Sequence, residues 1–119
     1  MAPPVNRDIL DYDLMLMDES CLKFVEAISW LKGNKSNSAF STDQFETTAE
    51  IISAVEKLYA AGATRVDVRL ADDDDQHTST LVVRAAEGNT TRLFSTIWSL
   101  EPDEIHYYRG ESSWVLWWD

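Results

Sequence analysis

The chain has 119 residues and a formal net charge of −11 at pH 7, and this length is that of a single domain with a core of its own. Its hydrophobic fraction of 45% and aromatic fraction of 11% are too high for a chain that is disordered throughout. Its ten lysines and arginines are scattered, which excludes direct binding to nucleic acids and to anionic membranes, since both need clustered basic residues.

The first third of the chain carries two apolar patterns at once. Segment 1–18 is open between a strand and a helix, because residues 9–17 alternate in hydropathy and also fit a helical stripe. The stripe continues through residues 19–32 and predicts a helix that stops at Gly33. Residues 33–39 are predicted to be a polar linker. If the first segment is a strand, the whole chain approaches a ferredoxin-like sandwich with an extra helix.

A helix over about residues 42–61 has the strongest sequence signals. Ser41 is its predicted N-cap, and Gln44 completes a capping box three residues later. Phe40 and Phe45 stand at the two positions of a hydrophobic staple and are predicted to pack on each other. Apolar residues then recur at helical spacing until a glycine supplies the C-cap.

Two strands follow the helix and predict an antiparallel hairpin. Residues 64–70 alternate strictly between apolar and charged side chains, which is typical of a half-buried strand. Its predicted polar face consists of Arg65, Asp67 and Arg69. Residues 78–85 are rich in β-branched side chains and form the second strand. Between the two strands, an exposed hairpin loop is predicted to contain Asp72, Asp73, Asp74 and Asp75.

The last third of the chain predicts one helix and one strand. The helix spans about residues 90–100 and ends before Pro102, and the strand lies within residues 112–119. The helix has a broad apolar face that consists of Leu93, Phe94, Ile97, Trp98 and Leu100. Because a helix joins the second strand to the last, those two strands are predicted to be parallel, with the last beside the first. The result is a single α+β domain over residues 1–119, in which an N-terminal helix precedes an α-β-β-α-β layer. Since the last strand is apolar on both faces, its tryptophans are predicted to belong to the core.

Two acidic segments are candidate partner-binding surfaces. The aspartate run of the hairpin loop lacks the glycine and glutamate of an EF-hand loop, so it is a solvated loop or an acidic knob that binds a partner. Residues 101–111 mix carboxylates with aromatic side chains, which is the composition of a surface that grips a basic protein, or they form a connecting loop whose tyrosines lie on the sheet. The predicted contact residues in this segment are Asp103, Glu104, Tyr107, Tyr108 and Glu111.

Few residues of the chain point to catalysis. Either His77 or His106 is able to act with carboxylates as an acid–base pair or a metal site, if the fold brings such groups together. Cys21 lies on an apolar stripe, where its thiol is inert. As the single cysteine it excludes an intrachain disulfide, which favours a reducing compartment. No catalytic residue, metal or cofactor is predicted, and without an apolar signal core the expected location is the cytoplasm.

The run Leu58–Val66, the stretch Thr80–Val83 and the ending Val115–Asp119 together resemble a group of uncharacterised small bacterial proteins. Those proteins end in a similar strand that reads aliphatic-Trp-Trp-Asp. The resemblance covers residues 42–119 and implies the α-β-β-α-β arrangement there. It implies no activity.

Three functions are weighed on these grounds. The first is a non-catalytic acidic domain that docks a basic protein, such as an inhibitor or immunity-type protein that neutralises a toxin or nuclease. The alternatives are a nucleic-acid mimic that inhibits a DNA- or RNA-binding protein, and a small hydrolase-like or metal-dependent enzyme that uses His77 or His106. The chain is expected to be a monomer, or a homodimer through its C-terminal strand if that strand is an open edge.

Overall fold

The computed structural model describes residues 22–34, 39–40, 42, 44–71, 76–86, 90–108 and 112–119. These residues form a mixed α+β domain, as predicted. Its strands are β1 (Leu22–Glu26), β2 (Ala63–Ala71), β3 (Thr80–Ala85), β4 (Glu104–Tyr108) and β5 (Ser113–Trp117). Its helices are α1 (Ala27–Gly33), α2 (Thr48–Ala60) and α3 (Thr91–Ser99).

The five strands form one antiparallel sheet in the order β1-β2-β3-β5-β4. Because side chains alternate along each strand, one face of the sheet is apolar and packs against all three helices. The centre of this face contains Val66, Val68, Leu81, Val83, Trp114 and Leu116, all buried. The larger core cluster therefore lies between the sheet and the helices, and a smaller buried cluster of Val82, Tyr108 and Val115 lies on the opposite face of the sheet.

The predicted hairpin and the predicted last helix are confirmed. β2 and β3 pair as antiparallel neighbours, with Val66 opposite Val83. α3 lies within the predicted range and buries Leu93 and Ile97, which belong to its predicted apolar face. Strict alternation in the strand and a broad apolar stripe in the helix both identified the correct structure.

The predicted position of the last strand is wrong. β5 is antiparallel to β3, with Val82 opposite Val115, and it does not lie beside β2. The reason is β4, whose residues were predicted to be a loop. The helical crossover leads from β3 to β4, and the chain then turns back to place β5 between them. Every neighbouring pair is antiparallel, and β5 separates the two parallel strands β3 and β4 that α3 connects. The ferredoxin-like alternative depended on a strand over residues 9–17, which lie outside the described residues.

The predicted helix over residues 19–32 is only partly right. Residues 22–26 form β1, and α1 begins where the carboxylate of Glu26 accepts hydrogen bonds from the backbone N–H groups of Ile28 (3.1 Å) and Ser29 (2.8 Å). This capping stabilises a change from strand to helix without a loop. Residues 1–21, and with them the choice between strand and helix over residues 9–17, lie outside the described residues. So do residues 35–38 of the predicted linker.

α2 begins later than the predicted capping box. Its N-cap is Thr47, whose Oγ1 accepts a hydrogen bond from the N–H of Glu50 at 3.3 Å. Thr42 closes a separate turn before the helix, and Ser41 lies outside the described residues. The prediction that a glycine ends this helix is confirmed. Gly62 follows the helix with φ at 118°, a value that residues with a side chain rarely adopt.

Trp118 connects three distant parts of the chain. Its ring is 1% exposed and makes edge-to-face contacts with Phe40 (centroids 5.8 Å apart) and Phe45 (5.3 Å), which also contact each other as predicted (6.4 Å). Its Nε1–H donates a 3.0 Å hydrogen bond to the carbonyl of Leu100, just after α3. Trp114 is also buried, so the prediction that the terminal tryptophans form core is confirmed for these two.

We expect Trp118→Ala to lower the free energy of unfolding by about 3–5 kcal/mol, as for other large-to-small core changes. Trp98→Ala is the matched control, because Trp98 is 47% exposed and exposed sites usually change stability by about 0.5 kcal/mol or less. Urea unfolding of both variants checks this. Equal costs for the two tryptophans would contradict the assignment of Trp118 to the core.

Candidate functional site

One end of the sheet carries four exposed carboxylates, and an exposed tryptophan lies near the end of the adjoining helix α3. We call this surface the acidic–aromatic end, and it consists of Trp98, Glu101, Asp103, Glu104 and Asp119. All four carboxylates are exposed, and Trp98 is one of two large apolar side chains exposed among the described residues. The surface is built from the end of α3, the start of β4 and the residues after β5.

Backbone hydrogen bonds hold these segments together. The N–H of Glu101 donates to the carbonyl of Trp98 at 3.1 Å, in a turn where Glu101 takes φ of 52°. The N–H of Asp103 donates to the carbonyl of Trp117 at 2.9 Å, and the N–H of Asp119 donates to the Asp103 carboxylate at 2.6 Å. The surface is therefore positioned by main-chain contacts on both sides of β4.

Trp98 is exposed because of its position around α3. The helix buries Leu93 and Ile97 against the core, and at 3.6 residues per turn Trp98 stands about 140° from Leu93. Sequence analysis included Trp98 in the apolar face and did not name it as a site residue. Its offset from the Leu93 and Ile97 stripe is the signal that would have identified it.

The structure separates the predicted contact residues of the second acidic segment. Asp103 and Glu104 are exposed at the acidic–aromatic end. Tyr107 and Tyr108 lie four and five residues from Asp103 and on opposite faces of the sheet: Tyr107 packs on Trp114 with centroids 5.0 Å apart, and Tyr108 is 7% exposed. The tyrosines and the acids therefore do not form one surface, and Glu111 lies outside the described residues.

The aspartate run Asp72 to Asp75 also lies outside the described residues, but the residues on either side of it are described. β2 ends at Ala71, and Thr80 at the start of β3 is paired with Trp117, which is paired in turn with Glu104. The chain therefore leaves β2 and returns to β3 at the same end of the sheet that carries the acidic–aromatic end.

The two histidines are not brought together. His106 lies inside β4, with its Nε2 4.0 Å from a carboxylate oxygen of Glu104. His77 is exposed before the start of β3, and β5 separates β3 from β4. Within the described ranges no three His, Cys, Asp or Glu side chains are grouped so that they could hold a metal ion.

Two surface clefts flank the helices. One of about 490 Å³ lies between α2 and the end of α3, and its lining includes Glu50, Lys57 and Leu100. The other, of about 320 Å³, lies between α1 and β1 and includes Lys23 and Trp30. The described lining of neither cleft contains a histidine or a cysteine.

A polar cluster beside β1 joins the strand to the helices. The Tyr59 hydroxyl donates to the Glu26 carboxylate at 2.6 Å and accepts from the N–H of Val66 at 3.0 Å. Burial tends to raise the pKa of Glu26, but hydrogen bonds from Tyr59 and from the amides that Glu26 caps outweigh it, so that pKa lies below its ordinary value. Burial and the bond to Glu26 raise the pKa of Tyr59. These contacts explain how β1 is held, and we assign them a structural role.

A buried ion pair lies next to this cluster. Asp67 is 2% exposed, and its carboxylate accepts a 2.6 Å hydrogen bond from Nε of Arg65, with Nε of Arg84 4.0 Å away on the neighbouring strand. Sequence analysis placed Asp67 on a polar face. The paired arginines make its burial possible, since a buried carboxylate needs a hydrogen-bonded partner.

No protein-family model, curated protein or solved structure matches the chain. None of the helices in the described ranges is of a length and apolarity that would span a membrane.

We expect Glu26→Gln to lower the free energy of unfolding by about 1–2 kcal/mol at neutral pH, because hydrogen bonds to a charged acceptor are weakened. The folded-state pKa of Glu26 lies below its ordinary value of 4.5, so this stabilisation is complete above pH 4.5 and is lost as the pH falls through the folded-state pKa. Denaturant unfolding from pH 7 to pH 3 measures the difference between the two proteins. A difference that grows towards acid pH would contradict the assignment.

Proposed function

We propose that the protein is a non-catalytic acidic binding domain that docks a basic protein, in the manner of an inhibitor or immunity-type protein that neutralises a toxin or nuclease. The observation that carries the proposal is Trp98, which is half exposed and whose carbonyl accepts a hydrogen bond from the N–H of Glu101, at the end of the sheet where the carboxylates of Glu101, Asp103, Glu104 and Asp119 are exposed. Interfaces between proteins are commonly anchored by a few aromatic residues inside a polar rim.

The charge of the chain supports capture of a basic partner. A net charge of −11 creates a long-range field that attracts a positively charged protein and speeds its association. The acidic–aromatic end concentrates part of this charge at one site, where the field also orients the partner. The prediction that follows from this charge is an association rate that falls steeply with salt.

Trp98 adds an attraction for a basic side chain that surface charge alone does not provide. An arginine or lysine over the face of an indole gains a cation–π interaction that adds to its attraction for nearby carboxylates. Because aromatic anchors mainly slow dissociation while surface charges mainly speed association, Trp98 and the carboxylates have separable effects. This division makes the proposal testable with two kinds of variant.

The framework under the surface favours tight docking. Leu100 is tied to Trp118, and Asp103 is tied to both Trp117 and Asp119. A surface that is already ordered loses less conformational entropy when a partner binds. The same arrangement gives less support to a nucleic-acid mimic, because a mimic of phosphates does not need an exposed indole among its carboxylates.

Affinity capture from the native host, with the chain as bait, identifies candidate partners, and the purified partner is then titrated against variants. We expect Trp98→Ala to raise the dissociation constant by about 30-fold, a typical hot-spot loss of about 2 kcal/mol. Phe24→Ala removes a second exposed aromatic ring from the opposite edge of the sheet and is expected to leave binding unchanged.

The carboxylates are tested with a matched pair of triple variants. Neutralising Glu101, Asp103 and Glu104 as Gln, Asn and Gln is expected to slow association about 10-fold at low salt. The control neutralises three exposed acids of the α2 region, Glu46, Glu50 and Glu56, and produces the same change in net charge. Equal effects of the two triple variants would mean that net charge alone matters, and the proposed site would be wrong.

A further inference from the structure

The sheet has a second face, opposite the one that packs against the helices. Strand register places Asp67, Val82, Val115 and His106 in a row across the centre of this second face. Val82 and Val115 are 4% and 5% exposed and form a buried cluster with Tyr108 that includes no residue of the described helices. The solvated face of an antiparallel sheet is normally polar. Apolar residues buried this deeply indicate that the second face is covered.

A buried hydroxyl on the same face indicates a polar group in this cover. Ser113 lies between Arg84 and Tyr108 in the strand register and is 1% exposed. Its Oγ has no hydrogen-bond partner among the described residues. Because buried hydroxyl groups are rarely left without a partner, we expect the partner to come from outside the described ranges.

Two arginines of the second face offer hydrogen-bond donors to carboxylates. Arg65 and Arg84 are directly opposite each other, and both side chains are exposed. Asp67 accepts a hydrogen bond from Nε of Arg65 at 2.6 Å and lies 4.0 Å from Nε of Arg84. Each guanidinium group has several N–H donors, so one carboxylate does not satisfy both groups. An acidic cover would pair with the remaining donors and lower the repulsion between the two like charges.

Residues 1–21 have the composition and the connection that this cover requires. They contain five carboxylates and one arginine, and they lead directly into β1. Each of the other segments outside the described ranges has at most four residues. Four residues span about 14 Å when fully extended, which is about the distance from Asp67 to His106 across the row. A loop of that length is therefore too short to leave a strand end, cross the row and return.

The length of residues 1–21 is sufficient to reach the covered region. Phe24, at the β1 edge of the second face, is 42% exposed, so the covered region is centred on β3 and β5. These strands lie two and three positions from β1 in the sheet, which corresponds to about 10–14 Å. Even as a helix, a segment of this length extends about 30 Å.

A second copy of the chain has less support as the cover. The homodimer expected through the C-terminal strand required β5 to be an open edge, but β5 is hydrogen-bonded to both β3 and β4. A second copy would also bring a net charge of −11 towards an equally acidic chain. Residues 1–21 are already joined to the sheet, so their packing does not carry the entropy cost of association.

We propose that residues 1–21 pack across the second face and complete a second core there with its buried cluster. The strand and helix patterns that are open for residues 9–17 share an apolar side, because Leu10 and Leu14 belong to it in both. The proposal therefore holds for either pattern. It goes beyond the proposed function and involves none of the residues of the acidic–aromatic end.

The first test compares thiols on the two faces. In a Cys21→Ser background, Val115→Cys places a thiol on the second face and Val83→Cys places one on the helix-packed face, since both valines are buried. Both thiols are expected to react slowly with an aromatic disulfide reagent. Leu14→Asn, added to each protein, is expected to raise the rate at position 115 about 10-fold or more by opening the cover locally, with no change at position 83.

Met15→Asn is the matched control. It makes a similar apolar-to-amide change, but both patterns place Met15 away from the shared apolar side. We expect it to leave both thiol rates unchanged. The comparison of positions 115 and 83 separates opening of the second face from unfolding of the whole domain, which would expose both thiols alike.

The second test uses the unmodified chain. Nuclear Overhauser effects are expected between the methyl groups of Leu10 or Leu14 and those of Val82 or Val115, because packed apolar side chains bring such groups into contact. A mixture of two differently labelled chains determines whether these contacts form within one chain. No contact between different chains is expected.

A thiol at position 115 that reacts as fast as an exposed thiol, equal effects of Leu14→Asn and Met15→Asn, or equal acceleration at positions 115 and 83 would overturn the proposal. Methyl contacts that form only between different chains would overturn it as well. None of these outcomes bears on the proposed function, which is tested with Trp98→Ala and the carboxylate variants.

Discussion

The packing of Trp118 is the interaction on which the rest of the structure depends. Its ring fills the space between Phe40 and Phe45, and its indole N–H reaches the carbonyl of Leu100. These contacts join the end of β5 to the residues before α2 and to the residue that follows α3. Because Glu101 follows Leu100 directly, the core contact adjoins the surface that is proposed to bind a partner.

The sequence predicted the parts of the fold that have long and regular patterns. Alternation in β2, β-branched residues in β3 and the broad stripe of α3 each exceed what a loop would show by chance. β4 was missed because it has five residues, mixes Glu104 and His106 with tyrosines, and follows Pro102 closely. Missing one strand was enough to reverse the predicted direction of β5, since each added strand changes the direction of the chain.

Other errors came from contacts that only tertiary structure reveals. Leu22 and Val25 fit a helix and a strand equally well, and it is the capping carboxylate of Glu26 that ends β1. Asp67 was placed on a polar face because its pairing with Arg84 depends on strand register, which sequence does not give. For the candidate site, the acids Asp103 and Glu104 were named from composition, whereas the exposure of Trp98 was not predicted.

The account separates two surfaces with different chemistry. The acidic–aromatic end combines charge with one indole and is proposed to meet a basic protein, and the second face of the sheet is proposed to pack against residues 1–21 of the same chain. Amide hydrogen exchange of the chain with and without its captured partner tests the central claim most directly. We predict slower exchange in residues 98–104 and 117–119, with β1 unchanged. Slower exchange in β1 and α1, with residues 98–104 unaffected, would contradict the account.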